Sequence, residues 1–458
     1  MTEPGVFHPH IHYGLLRKVL RKIDVDRPVF YGLLSKIWGM AAGPITALLI
    51  AKFFTPQIQG YYYTFATVLA LQVFVELGLG TVIVQFASHE WSRLHLDGSG
   101  HICGDETALS RLTSLAQLAI KWYLFAAVIV VLGIGFGGYV FFSLKPETGI
   151  AWQAPWLALS LLTGITLCLV PVWSLLEGCN QVSRLYTFRF YQGLCSTLAV
   201  WSALVMGLGL WLTAVSSVIT TVTAIYFIWT HYRQFFRTLL LDSPVGDTIE
   251  WRRDILPMQW KIALSWASGY FVFSLFTPVL FQFHGPVIAG QFGMTWTITG
   301  AIGGIANAWL APKVPQFGIL IAKREFESLD RLFWRTTSIL VTVIVTLSIG
   351  CWLFVYVLNL LNPDLASRLL PLMTVSILLA AQAIVCFSIP FSCYMRAHKQ
   401  EPLLTLSVAA GFFTGISTIV LGKYFSANGM ALGYFVVNMF IIPLVILTWS
   451  RCRKEWHK

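Results

Sequence analysis

The stretch GYYYTFATVLALQVFVELGLGTVIVQFA, Gly60 to Ala87, is apolar or aromatic at nearly every position, and Glu76 stands inside it. A run of about 20 apolar residues is long enough to cross the hydrocarbon core of a bilayer as a helix. Lipid satisfies no backbone polar groups, so spanning segments are helices or closed barrels, and a continuous rather than alternating run selects the helix. This segment reads as a membrane span that carries a carboxylate.

The pattern recurs along the chain. With 57% hydrophobic and 11% charged residues among 458, and a mean hydropathy of +0.72, the composition excludes a water-soluble globular protein. Spans are expected at roughly 30–54, 60–86, 119–143, 155–177, 189–211, 213–235, 262–282, 290–312, 335–358, 369–395, 403–422 and 429–450. The prediction is an all-α polytopic membrane protein of about twelve transmembrane helices, with both chain ends on one side.

Lys and Arg gather in cytoplasmic loops. On the side of the termini lie Arg17, Lys18, Arg21, Lys22, Arg27, Arg233, Arg237, Arg252, Arg253, Lys323, Arg324, Arg331, Arg451, Arg453, Lys454 and Lys458, whereas the opposite loops hold Lys145, Arg368 and Lys423, with Lys52 at a span end. Both termini are therefore expected in the cytoplasm. The same bias accounts for the formal charge of +11 without a nucleic-acid partner, and basic loops also suit anionic membrane lipids. No cleavable signal peptide is expected, because the segment before the first apolar run is polar.

None of the eight cysteines is placed for an extracytoplasmic disulfide. The chain has no Walker A sequence, no H-E-x-x-H and no Cys-x-x-Cys, and no cofactor is expected. Its loops leave no room for a soluble catalytic domain, so the reading is of a transporter and not an enzyme, driven by an ion gradient, a substrate gradient or a partner.

FFTPQIQGYY (Phe53 to Tyr62) aligns with FHGPVIAGQF (Phe283 to Phe292) at a separation of 230, matching Phe53 to Phe283, Pro56 to Pro286, Ile58 to Ile288 and Gly60 to Gly290. VIVQF at Val82 meets KVPQF at Lys313 at 231, and Pro171 meets Pro390, and Gln181 meets Gln400, at 219. The organisation expected is a cytoplasmic arm (1–28), a six-helix lobe (29–235), a cytoplasmic linker (236–261), a second six-helix lobe (262–450) and a tail (451–458). Six spans per lobe make the repeats parallel, as in transporters with a cavity between two rocking halves.

At a separation of 231, Glu76 corresponds to Asn307 in GAIGGIANAWLAP. Gln72, Glu76 and Gly80, four apart, would share one helix face turned to a cavity. Lys36, in YGLLSKIWGMAAGP, lies inside the first span, where an adjacent helix would bring it near Glu76. A charge at the membrane centre costs about 3 kcal/mol on insertion scales, so pairing or protonation is the expected escape. Glu76 is thus a candidate ion-coupling group, with Asn307 its pseudo-symmetric partner, and Lys36 a candidate contact for an anionic substrate; a structural ion pair or a neutral, hydrogen-bonded Glu76 is the alternative.

Glu177 and Arg396 occupy equivalent span ends, and with Arg184, Arg189 and Lys261 the arginines form a candidate ring for incoming phosphates, with Lys261 and Arg396 as substrate contacts. Topology signals alone also explain them. Pro171 and Pro390, inside spans at matched positions, each remove a helical hydrogen bond and are candidate hinges or packing kinks. His284 and Lys52 lie at outer turns, and Trp38, Trp152, Trp156, Trp260 and Trp449 near span ends suit an interfacial belt.

IQGYYYTFATVLALQVFVELGLGTVIVQFASHE (Ile58 to Glu90), LLEGCNQVSRLYTFRFYQ (Leu175 to Gln192) and RAHKQEPLLTLSVAAGFFTGISTIVLGKYFSANGMALGYFV (Arg396 to Val436) resemble bacterial polysaccharide flippases of the Wzx type. These belong to the multidrug, oligosaccharidyl-lipid and polysaccharide exporter superfamily. The resemblance implies two six-helix, MATE-like lobes in the plasma (inner) membrane. It also implies transfer of an undecaprenyl-diphosphate-linked oligosaccharide to the outer leaflet, a cationic lumen, proton or sodium coupling, and polysaccharide assembly proteins as partners. A drug antiporter of the same superfamily, a glycan polymerase or ligase, and a non-transporting scaffold are the alternatives; the polymerase needs a large outer loop, and the outer loops here are short.

Overall fold

The structure, a computed structural model, describes residues 27–457 except 146, 148, 245 and 399, so most of the basic N-terminal arm lies outside the described residues. The first half contains α1 (Arg27–Phe53), α2 (Pro56–Glu76 and Leu79–Trp91), α3 (Glu106–Ser143), α4 (Gln153–Gly178), α5 (Val182–Val205) and α6 (Trp211–His231). The second contains α7 (Leu256–Phe273 and Phe276–His284), α8 (Pro286–Leu310 and Val314–Ala322), α9 (Phe326–Leu361), α10 (Leu372–Ala397), α11 (404–425) and α12 (427–456). The last two form one 53-residue run divided at Ser426, whose φ of 56° and ψ of −149° are not helical.

Among the described residues, seven helices are long and apolar enough to cross a membrane, or nine when the bent pairs in α2 (47°) and α7 (41°) count as one each. Leu404–Trp456 counts once there despite its division, and the more polar α5 and α8 complete the twelve expected crossings. The protein is an all-α, multi-pass membrane fold. An even number of crossings puts Arg27, where the first described helix begins, and Trp456, where the last ends, at the same end of the bundle, called here the terminal end.

Helix starts follow local chemistry. Thr55 accepts a hydrogen bond from the Ile58 N–H and Pro56 opens α2, where a missing N–H costs nothing. Pro286, its repeat partner, opens α8. Helix α5 begins at Val182 rather than near 189, because the exposed Arg184 and Arg189 lengthen it beyond the apolar run without entering lipid.

Two elements escaped the periodicity. Leu94–Leu96 and Ile102–Gly104 pair as an antiparallel hairpin, and Asp97 at its turn accepts from the backbone N–H groups of Ser99 (2.9 Å) and His101 (2.8 Å). Its signal is the loop Asp97-Gly98-Ser99-Gly100. The segment after α6 is fastened to α3: Phe235, Phe236 and Leu239 of the short helix Arg233–Leu241 are buried, Gln117 donates to the Asp242 carbonyl (2.9 Å), and Trp251 stacks on Trp122 at 5.0 Å. Beneath it Glu90, 5% exposed, pairs with Arg111 (2.9 Å) and Arg93 (3.1 Å).

At the end opposite the termini, Tyr61, Phe65, Phe142, Trp152, Trp156 and Phe281 are fully buried against one another. In lipid such clusters hold by close packing and not by the hydrophobic effect. At the terminal end, Phe333, Phe391, Tyr394 and Trp449 form a second aromatic core. Above it the half-buried Asp330 receives both Arg453 Nε–H (3.1 Å) and the Tyr394 hydroxyl (3.2 Å), and His457 Nε2 lies 2.8 Å from that hydroxyl.

This knot ties the end of α12 to α9 and α10. Asp330→Asn is expected to destabilise the protein by about 2 kcal/mol, the scale of a charged hydrogen bond, while Arg396→Ala, which breaks an exposed pair with Glu401, changes little. Burial holds the His457 imidazole below its ordinary value, with Asp330 opposing, and burial does the same to His398. A depressed histidine favours the neutral, folded form, so stability is present above the free value of 6.5 and falls as the pH drops below it. Thermal unfolding from pH 8 to 5 checks this; His457→Gln should flatten the profile.

Candidate functional site

The two halves meet most closely where the repeat was most legible. Helices α2 and α8 cross with no side chain between them: a β-carbon at Gly60 would stand 1.9 Å from the Pro286 carbonyl oxygen, and one at Gly290 would stand 2.7 Å from the Gly60 nitrogen. Only glycine permits that approach. Gln59, 1% exposed, secures it by donating to the carbonyls of Gly290 (2.9 Å) and Arg368 (3.0 Å). Across the halves Gln282 donates to the Phe141 carbonyl (2.6 Å), while within the second half His284 Nε2 lies 2.7 Å from the Gly422 carbonyl oxygen. The far end between the halves is thereby closed.

Toward the terminal end the halves separate around one cavity, and a second lies deeper, within the first half; the two share Gly39 of α1. One, of about 590 Å³, lies among α1, α2, α4, α5 and α6, with Thr297 of α8 on its rim. The other, of about 520 Å³, lies between α1, α8 and α10, and carries Lys36, Asn307 and Cys393 on its wall. Lys36 and Asn307, one from each half, thus face a common space, and both are exposed. Neither Gly39 nor Gly43 has a neighbour within 4 Å of where a side chain would start, so α1 presents a bare face there.

Glu76 lies elsewhere, and the expected approach of Lys36 to Glu76 does not occur. Helix α1 is held on α5, with Trp38 donating to Thr197 (3.3 Å) and Trp201 donating to Thr46 (2.9 Å), and it touches α2 only weakly. Glu76 ends the first piece of α2, half-buried toward α3, where Tyr123 is within electrostatic reach. Among the described residues it has no hydrogen bond or ion pair, and it lines neither cavity. The face assumed for Gln72, Glu76 and Gly80 is also interrupted: Leu77 and Gly78 turn left-handed (φ 52° and 65°), and Gly78 abuts Ile262 of α7 so closely that a β-carbon would stand 2.4 Å from its Cγ2. Gly80 still reaches the same surroundings, with its β-position 3.6 Å from the Tyr123 hydroxyl oxygen.

An irregularity recurs in the second half, offset in the repeat: α8 tightens at Ala311–Lys313, four residues past Asn307, whereas α2 breaks directly after Glu76. The dipeptide Leu77-Gly78 and the sequence Ala311-Pro312 were its only advance signals.

Arg396 pairs with Glu401 (3.3 Å) beside a small pocket that includes Ser265 of α7. Lys261 is in α7 one turn before Ser265; its side chain lies outside the described residues. Arg189 pairs with Glu177 (2.6 Å), whereas Arg184 turns to another face. Pro171 sits at a break in α4, after Cys168 and Leu169, but Pro390 lies within unbroken α10.

No protein-family model and no curated protein sequence matches the chain. Solved structures do. An inward-facing multidrug resistance MATE family transporter of the MOP superfamily superposes with a TM-score of 0.68 at 13% identity, over 93% of this chain and 98% of that one. The fold is that of the MATE transporters. The lipid II flippase MurJ, in an inward closed conformation, matches with a TM-score of 0.68 at 10% identity, over 91% of this chain and 86% of that one. An outward-facing MATE family transporter matches less well, with a TM-score of 0.56 at 14% identity over 96% and 98%.

A bulkier residue at the crossing is expected to hold the far end open. In Gly60→Val, a cysteine placed at buried Thr64 should react with an impermeant maleimide added from the far side, at least tenfold faster than the same cysteine beside Gly60. Equal protection in both would show that the crossing is not the closure.

Proposed function

We propose that this protein is a flippase that moves a lipid-linked oligosaccharide, joined through a diphosphate to a polyprenyl chain, from the cytoplasmic to the outer leaflet of a bacterial plasma membrane. The single observation that carries the reading is Lys36: a cation from one half, facing Asn307 of the other, in a space between lobes shut at the far end. A diphosphate suits that lysine, and the amide of Asn307 offers hydrogen bonds to sugar hydroxyls or phosphate oxygens. The polyprenyl chain stays in lipid while the polar part crosses between lobes.

With the termini cytoplasmic, as the loop charges indicate, the closed far end is the outer side. The better superposition on the inward-facing MATE structure than on the outward-facing one supports the same assignment. Lys261 and Arg396 would receive phosphate at the entrance, and Pro171, at its helix break, is the better placed of the two hinge candidates. Glu76, at the break of α2 and against α7, would couple an ion: gaining or losing a proton there alters what the kink must solvate and so biases the two lobe arrangements. Asn307, at the equivalent place, would then serve the cargo more than the ion.

Reconstituted in liposomes under a proton or sodium gradient, the protein is expected to move a lipid-linked oligosaccharide into the reach of an impermeant sugar-modifying reagent. Lys36→Ala should slow that transfer at least tenfold, about 1.4 kcal/mol, and Glu76→Gln should abolish its pH dependence while leaving binding intact. Export of an organic cation with no lipid transfer would instead make the protein a drug antiporter.

A further inference from the structure

A cavity of about 550 Å³ lies between α5 and α6 and belongs to neither side of the lumen. Helix α1 covers the opposite face of α5 through Tyr186, Phe190, Thr197 and Trp201, with Gly32 3.5 Å from the Tyr186 ring by its β-position. On α6, Val218, Val222, Ile225 and Trp229 form an exposed apolar strip beside the groove, and Tyr226, 69% exposed, belongs to both. Such a strip on a spanning helix faces acyl chains, so the groove opens to the bilayer.

The groove is graded. At the terminal end stand Arg184 and His231, and Arg233 lies just beyond them, its guanidinium 4.5 Å over the Trp229 ring. Among the described residues no carboxylate lines it, and Glu177, on an adjoining helix, is engaged by Arg189 on another face of α5. Deeper in, the walls are Phe188, Tyr191, Tyr226 and Phe227, and the floor ends near the exposed Cys195. From Arg184 to Cys195 the rise is about 16 Å, close to half of a roughly 30 Å hydrocarbon core. A cationic mouth at the interface and an aromatic trough one leaflet deep complement one kind of molecule.

We propose that the groove between α5 and α6 is a docking site for an anionic phospholipid of the leaflet at the terminal end, its phosphate held by Arg184 and His231 and one acyl chain laid along Phe188, Tyr191 and Phe227. The site is outside the lumen and does not depend on which cargo the lumen carries. Its occupant would bridge α5 and α6 where the first half needs to move as one body.

The test uses the full chain in detergent, titrated with dioleoyl phosphatidylglycerol or dioleoyl phosphatidylcholine, and reads both the thermal unfolding midpoint and the alkylation rate of Cys195 in a variant whose other cysteines are serine. Phosphatidylglycerol is expected to raise the midpoint and to slow alkylation at least fivefold more than phosphatidylcholine does. Arg184→Ala with His231→Ala should remove that preference, and Arg184→Lys should keep it. A partly filled groove in Cys195→Trp, with the charges intact, should also lose the midpoint shift. Equal effects of the two lipids would overturn the proposal. So would protection by inorganic pyrophosphate alone, which would mark a site for a soluble anion.

Discussion

Everything in this structure hangs on the contact of two backbones at Gly60 and Gly290. No side chain separates α2 from α8 there, and Gln59 adds hydrogen bonds that neither water nor lipid can replace, since it is 1% exposed. Because the contact joins one half to the other, it fixes where the lobes touch and, by exclusion, where they part. The aromatic cluster of Tyr61, Phe142, Trp152 and Phe281 packs at the same end and makes the closure thick. Lys36 of α1 and Asn307 of α8 then face a common space toward the other end.

The same two helices lose regularity further along, α2 directly after Glu76 and α8 at Ala311–Lys313, four residues past Asn307. A broken helix within a membrane exposes backbone groups that need partners, and it bends at low cost. A carboxylate ends the first piece of α2, and an amide stands four residues before the tightened turn of α8. Under the proposed function, that asymmetry separates two tasks: a cation and an amide for the cargo, and an acid at a kink against α7 for the ion.

Much of this was legible in the sequence. Apolar runs gave the helices, and the matched FFTPQIQGYY and FHGPVIAGQF named the glycines that meet. Helix neighbours were not legible, because which faces pair is settled by contacts distant in sequence: Trp38 with Thr197 and Trp201 with Thr46 hold α1 on α5, which is why Lys36 stands apart from Glu76. The left-handed Leu77 was hidden as well, since an apolar residue before a glycine reads as helix when only hydropathy is considered. The groove between α5 and α6 could not be seen either; its cations looked like topology signals until their faces were known.

In the proposed transport cycle the Gly60 and Gly290 crossing opens when the lobes exchange access. Spin labels on cysteines at Thr55, beside α2, and at Phe283, at the end of α7, report the width of that end directly by pulsed electron resonance in liposomes. A short, narrow distance distribution without cargo, joined by a longer population when lipid-linked oligosaccharide and an ion gradient are supplied, is the predicted result. A single unchanged distance during measured transfer would contradict the account.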